Sequence, residues 1–168
     1  MILSTKACEY IDSLATGARM KIEKLANTTH LKYSDAVQYV KCFGGTVTHR
    51  PNQNSEIIKN SDETFTIFVK DENIEEVLHE LGHAFLNWEN LSGDQNGQLS
   101  YKNDGVANYD ELAANYFMRS FVMPVETFMR EVLKVTYNNI CDFKALSETF
   151  NVSKHVVIAR GNDLGLWA

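Results

Sequence analysis

Glu76-Val77-Leu78-His79-Glu80-Leu81-Gly82-His83-Ala84-Phe85 contains the pattern H-E-x-x-H, and the rest of the chain can be read outward from it. On a helix, residues four apart lie one above the other, so His79 and His83 would aim two imidazoles at one point. Two neutral imidazoles suit Zn²⁺, and Glu80, one step around the helix, can take a proton from metal-activated water. Asn73 predicts the N-cap, with Glu76 three residues on as the second half of a capping box. Val77, Leu81, Ala84, Phe85 and Trp88 form the expected buried stripe, which puts both histidines on its flank. Gly82 costs about 1 kcal/mol relative to Ala in a helix interior. Either it lets another backbone or a substrate come close, or it is simply tolerated.

Immediately upstream the periodicity changes from helical to alternating. Thr46–His49, Glu56–Lys59 and Thr64–Val69 read as three short strands, the last two joined by a turn at Asn60-Ser61-Asp62-Glu63. An antiparallel sheet of about three strands is expected. Phe68 breaks the alternation of Phe65, Ile67 and Val69, which suits a strand covered on both faces. Before the sheet, Ser4–Ala26 has apolar residues at three- and four-residue steps, a helix with a break expected near Gly17. A second helix is expected over Asp35–Phe43, capped by Ser34 and stopped by Gly44-Gly45. His30, between the two, reads as a loop or packing residue.

Downstream, Asn90–Asp104 is a long polar loop, of the kind that often serves function. A helix follows over Tyr109–Phe121, and Pro124 separates it from another over Val125–Val135. From Asp142 to Trp167 the spacing is helix, turn, helix, like a helix-turn-helix. Lys154, His155 and Arg160 are its only plausible phosphate contacts, too few for strong non-specific binding, so packing on the core is expected ahead of DNA binding.

The bulk numbers agree with one globular domain. The 168 residues are 44% apolar and 23% charged, with a net charge of −6. No two Lys or Arg residues are adjacent, so neither nucleic acid nor an anionic membrane is an expected partner. Three cysteines without a C-x-x-C pair suit a reducing compartment. With no signal-like start and no apolar run near 18 residues, the protein is expected in the cytoplasm, as a monomer. The expected fold class is α+β, mostly helical, over residues 1–168. It comprises N-terminal helices (1–45), the sheet and active-site helices (46–123) and a helix-turn-helix-like C-terminal segment (124–168).

A catalytic zinc site usually takes three protein ligands, and H-E-x-x-H supplies two. A metzincin site would need a glycine at position 86 and a histidine at 89; the chain has Leu86 and Glu89. A deformylase-type site would need an upstream cysteine motif that Cys42-Phe43-Gly44 does not provide. The remaining route is a carboxylate from a second helix. Glu111 and Asn115 lie one turn apart, so Glu111 could bind the metal while Asn115 orients a histidine. Alternatively, Asn108 caps this helix and Glu111 closes a capping box. Glu89, Asp110 and Glu126 are weaker candidates.

Three ordered segments resemble the ImmA/IrrE family of zinc-dependent metallopeptidases: His79-Glu80-Leu81-Gly82-His83, Glu111-Leu112-Ala113-Ala114-Asn115-Tyr116-Phe117 and Val122-Met123-Pro124. The tail from Phe150 to Leu166 is also similar, so the resemblance covers about Thr64 to Trp167. Met118 and Ala113 depart from the family's usual residues. The resemblance implies a zincin-like, gluzincin-type protease of the bacterial cytoplasm, often carried on prophages, acting on a helix-turn-helix repressor to relieve repression. By position, His79, His83 and Glu111 would be zinc ligands and Glu80 the general base, passing the water's proton to the leaving amine. Tyr101, Tyr109, Tyr116 and His155 are candidate oxyanion donors. Two other readings are a metal-bearing module that binds a repressor without cutting it, and a helical structural protein with a chance motif.

Overall fold

The computed structural model describes residues 2–61, 63–91 and 105–167. In chain order the elements are α1 (Thr5–Arg19), α2 (Glu23–Ala26), α3 (Tyr33–Cys42), β1 (Gly45–His49), β2 (Glu56–Ser61), β3 (Thr64–Val69) and α4 (Ile74–Leu86). After a 3₁₀ turn at Trp88–Asn90 come α5 (Gly105–Val122), α6 (Val125–Val135), β4 (Thr136–Tyr137), β5 (Ile140–Cys141), α7 (Phe143–Phe150) and α8 (Lys154–Asp163). The architecture is α+β, with helices packed around a small three-stranded sheet.

That sheet is mixed, not wholly antiparallel. Its order is β1-β3-β2, with β2 antiparallel to β3 and β1 parallel to it. The reason lies in β3, where Phe65, Ile67 and Val69 are all buried. The most apolar strand takes the centre and uses both of its hydrogen-bonding edges, which pushes β1 to the far side. Arg50 N–H donates to Val69 O at 2.7 Å, closing that edge where the chain crosses toward β2. β2 and β3 form the expected hairpin, although its turn includes position 62, outside the described residues.

Local signals set most boundaries. The N-terminal helix breaks at Met20–Ile22 rather than at Gly17, which stays helical with open space where a side chain would be. α3 starts earlier than expected because the Asp35 carboxylate accepts the Lys32 N–H at 2.8 Å, capping the helix ahead of Ser34. A short hairpin at 136–141 was not anticipated; Asn138 and Asn139 both adopt positive φ (49° and 64°), the geometry that two-residue hairpin turns need. The loop expected at Asn90–Asp104 falls mostly outside the described residues.

One cluster of buried apolar side chains runs from Ile11 and Ala15 of α1 through the sheet, α4 and α5 to Phe150 and Val157 of the last two helices. The C-terminal pair packs on this core, as expected. Arg160 is fully buried, donating to Asp12 of α1 at 2.9 Å and to Met123 O at 3.1 Å, so it is not available to a phosphate. Ala113 and Met118, the two departures from the family pattern, are both buried in the core. No helix among the described residues is long and apolar enough to cross a membrane. Cys8, Cys42 and Cys141 are free thiols.

Candidate metal centre

The site is built where α4 crosses α5. Asn73 caps α4 by accepting the Glu76 N–H at 3.0 Å. The Glu76 carboxylate does not take the Asn73 backbone N–H, as a capping box would, but accepts the Asn73 side-chain amide at 3.3 Å. It also accepts backbone N–H groups of Lys70 (2.9 Å) and Asp71 (3.1 Å) and the Ser55 hydroxyl, fastening the start of α4 to the end of β3. Burial pushes the Glu76 carboxyl up, but the bonds from Ser55, Asp71, Lys70 and Asn73 outweigh it and hold the group below the usual range.

Gly82 explains how the two helices meet. A Cβ there would lie 3.1 Å from Ala114 O, 3.2 Å from Ala114 Cα and 3.2 Å from Phe117 Cδ1. Of the two readings of this glycine, close approach of another backbone is the one found. With α5 against Gly82, the helix is covered on more sides than the expected stripe, and His83 is only 2% exposed.

Three side chains converge at this crossing. His83 Nε2 stands 3.1 Å from Glu111 Oε1, His79 Nε2 stands 3.2 Å from Glu111 Oε2, and the two Nε2 atoms are 3.2 Å apart. Ligands bound to a tetrahedral metal at about 2.0–2.1 Å lie about 3.3–3.4 Å from one another, and each of these separations is close to that spacing. The ligand-type atoms of His79, His83 and Glu111 all fall within 4.8 Å, and this trio could hold a metal ion. The donor set, two imidazoles and a carboxylate, is of the kind used by zinc.

The outer ring nitrogens are also engaged. His79 Nδ1 faces Asn115 Oδ1 at 3.1 Å. His83 Nδ1 faces the amide of Asn87, whose oxygen accepts at 3.0 Å. Both contacts put the ring proton on Nδ1 and leave the Nε2 lone pairs for the common centre. Asn108 lies inside α5, and the Glu111 carboxylate faces the histidines rather than the helix end. Glu89, Asp110 and Glu126 are not among the converging groups.

The charges respond to this packing. The facing imidazoles of His79 and His83 hold the Glu111 carboxyl far below the ordinary range despite partial burial. Burial alone would lower the His79 pKa, but Glu111, Glu80 and Asn115 together raise it above its usual value. Glu80, 6% exposed, is pushed up by burial, with Glu111 and Glu56 adding to the effect and the two histidines opposing it. A buried carboxyl beside two imidazoles is placed to accept and return a proton.

The candidate oxyanion donors divide. Tyr116 turns away: its hydroxyl donates to Asp12 at 2.8 Å, and burial together with that carboxylate pushes its pKa up. Tyr109 is 40% exposed, His155 is exposed on α8, and Tyr101 lies outside the described residues. Asn87 was not anticipated. It lies four residues after His83, a spacing that could have revealed it, but an asparagine at a helix end reads as a stop signal.

Comparison with known proteins adds three findings. The profile of the IrrE N-terminal-like domain, a peptidase family, matches residues 68–162. No curated protein sequence matches the chain. Among solved structures, a Mycobacterium tuberculosis transcriptional regulator shares the fold with a TM-score of 0.57 and 14% identity, over 94% of this chain and 47% of that one. The chain thus spans about half the length of that protein.

Proposed function

Since the chain belongs to the IrrE N-terminal-like family of metallopeptidases, we propose that it is a zinc-dependent endopeptidase of the cytoplasm that cleaves a helix-turn-helix repressor. The observation that carries this reading is the convergence of His79, His83 and Glu111 beside the buried carboxyl of Glu80. In it, His79, His83 and Glu111 hold the metal, and Asn115 orients His79. A zinc ion at this centre would supply Lewis acidity, polarising a peptide carbonyl and making water acidic near neutral pH.

The protein's own groups do the rest. Glu80 takes the proton of the attacking water and passes it to the leaving amine. The buried surroundings strengthen each of these charge interactions. Three free thiols and the absence of a membrane-crossing helix among the described residues are compatible with the cytoplasm. The shared fold with a protein titled a transcriptional regulator accords with a role in regulation and also supports a second reading, a metal-bearing module that binds a repressor without cutting it.

One experiment separates the two. The zinc-loaded chain is incubated with a small helix-turn-helix repressor encoded beside it, and the products are read by mass spectrometry. Cleavage by the wild type at a discrete site, lost in a Glu80→Gln variant that keeps its zinc, is the expected result. If that variant relieves repression as well as the wild type does, the non-cleaving reading is correct and the protease reading is wrong.

A further inference from the structure

Resting on the zinc-site reading above, we propose that Asn87 is a positioning residue that fixes the ring of His83 and braces it against Asp110, next to the ligand Glu111. Asn87 follows the last residue of α4 and is only 8% exposed. With its amide set to satisfy its neighbours, Oδ1 accepts from His83 Nδ1 at 3.0 Å, while Nδ2 donates to Leu86 O at 3.0 Å and to Asp110 Oδ1 at 3.2 Å.

The chemistry of each contact gives it a role. An amide oxygen on Nδ1 requires the ring proton there, so Nε2 presents its lone pair to the centre. The amide nitrogen has two hydrogens, and the two acceptors, Leu86 O and Asp110, take both. Flipping the amide would place its oxygen against two acceptors at once, so the orientation is locked. Asp110 immediately precedes Glu111 on α5. Asn87 therefore ties the far end of the two-histidine helix to the residue beside the third donor, and the separation of His83 from Glu111 depends on it. His79 already has a tie of its own to α5 through Asn115, and Asn87 gives His83 the matching one.

An asparagine that served only as a helix stop would be replaceable without effect on the metal. The test measures zinc affinity of the full chain by competition with a chelator, and the His83 tautomer in the zinc-free chain from ¹⁵N chemical shifts. Asn87→Leu keeps the size and removes all three bonds. Zinc binding is expected to weaken by about 10–100-fold, the usual effect of losing an outer partner of a metal-bound histidine, and His83 should lose its fixed Nδ1–H form. Asn87→Asp should also weaken binding, because the new carboxylate opposes Asp110. The double variant Asn87→Asp with Asp110→Asn restores a donor–acceptor pair and should return affinity to within a few-fold of wild type.

The proposal is overturned if Asn87→Leu binds zinc like the wild type, or if the double variant is no better than Asn87→Asp alone. A wild type that binds no zinc, or a Glu111→Ala variant that binds it equally well, would overturn the zinc-site reading instead. In that case the tautomer measurement still tests the brace.

Discussion

Replacing Gly82 by alanine sets two opposing effects against each other, and the structure says which prevails. Alanine is favoured over glycine in a helix interior by about 1 kcal/mol, so an unopposed substitution would stabilise the protein. The added methyl, however, would meet Ala114 O at 3.1 Å and Ala114 Cα at 3.2 Å. Both belong to a helix backbone that cannot rotate aside as a side chain would. Overpacking of this kind costs about 1–3 kcal/mol, so the net change is expected to be a destabilisation of up to about 2 kcal/mol. For a chain of this length that corresponds to a fall of several degrees in melting temperature, at about 2–4 °C per kcal/mol.

The same displacement reaches the metal site, because Ala114 lies one turn from Glu111. Moving α5 outward by a few tenths of an ångström exceeds the roughly 0.2 Å tolerance of metal–ligand distances. Zinc affinity should therefore fall along with stability. Differential scanning calorimetry of the zinc-free chain and chelator competition of the loaded one measure the two effects separately. A Gly82→Ala variant that melts higher than wild type and binds zinc unchanged would refute the claim that close helix approach sets this site.

Further perturbations test other parts of the account. Glu76 has a folded pKa below its unfolded value, so its contribution is complete above the ordinary carboxylate range and is lost as pH falls through the lowered value. Glu76→Gln should thus be less stable than wild type at pH 7, with the gap closing in acid; a gap independent of pH would contradict this. Asp12→Ala leaves the Arg160 guanidinium buried without its carboxylate. It should cost about 3–5 kcal/mol in urea unfolding, and a loss below about 1 kcal/mol would show that the pair is not holding α8 to α1. Glu111→Gln keeps the shape but removes the charge of the third donor, so zinc retention on dialysis should fall well below that of wild type.

The parts of the fold that were legible in sequence are those set by local chemistry. The start of α4 could be read from Asn73, and Glu111 from its spacing to Asn115, because helix geometry converts spacing into shared faces. β1 shows what is not local. Thr46–His49 reads as a strand, but its parallel pairing with β3 depends on which strand is apolar enough to take the centre, and that is decided by competition across the sheet. The packing of the C-terminal tail on the core was legible too, but the Arg160 partner was not, since Asp12 lies at the other end of the chain. Gly82 stayed ambiguous until Ala114 was placed against it. Asn87 was missed because helix-stop asparagines are common, and its partners come from two different helices.

X-ray absorption at the zinc edge of the purified, loaded protein tests the central claim most directly. Two imidazoles and carboxylate or water oxygens at about 2.0–2.1 Å, four-coordinate, are expected of a centre made by His79, His83 and Glu111. Sulfur scattering at about 2.3 Å, which would mean a cysteine ligand, or a shell without imidazole, would contradict it.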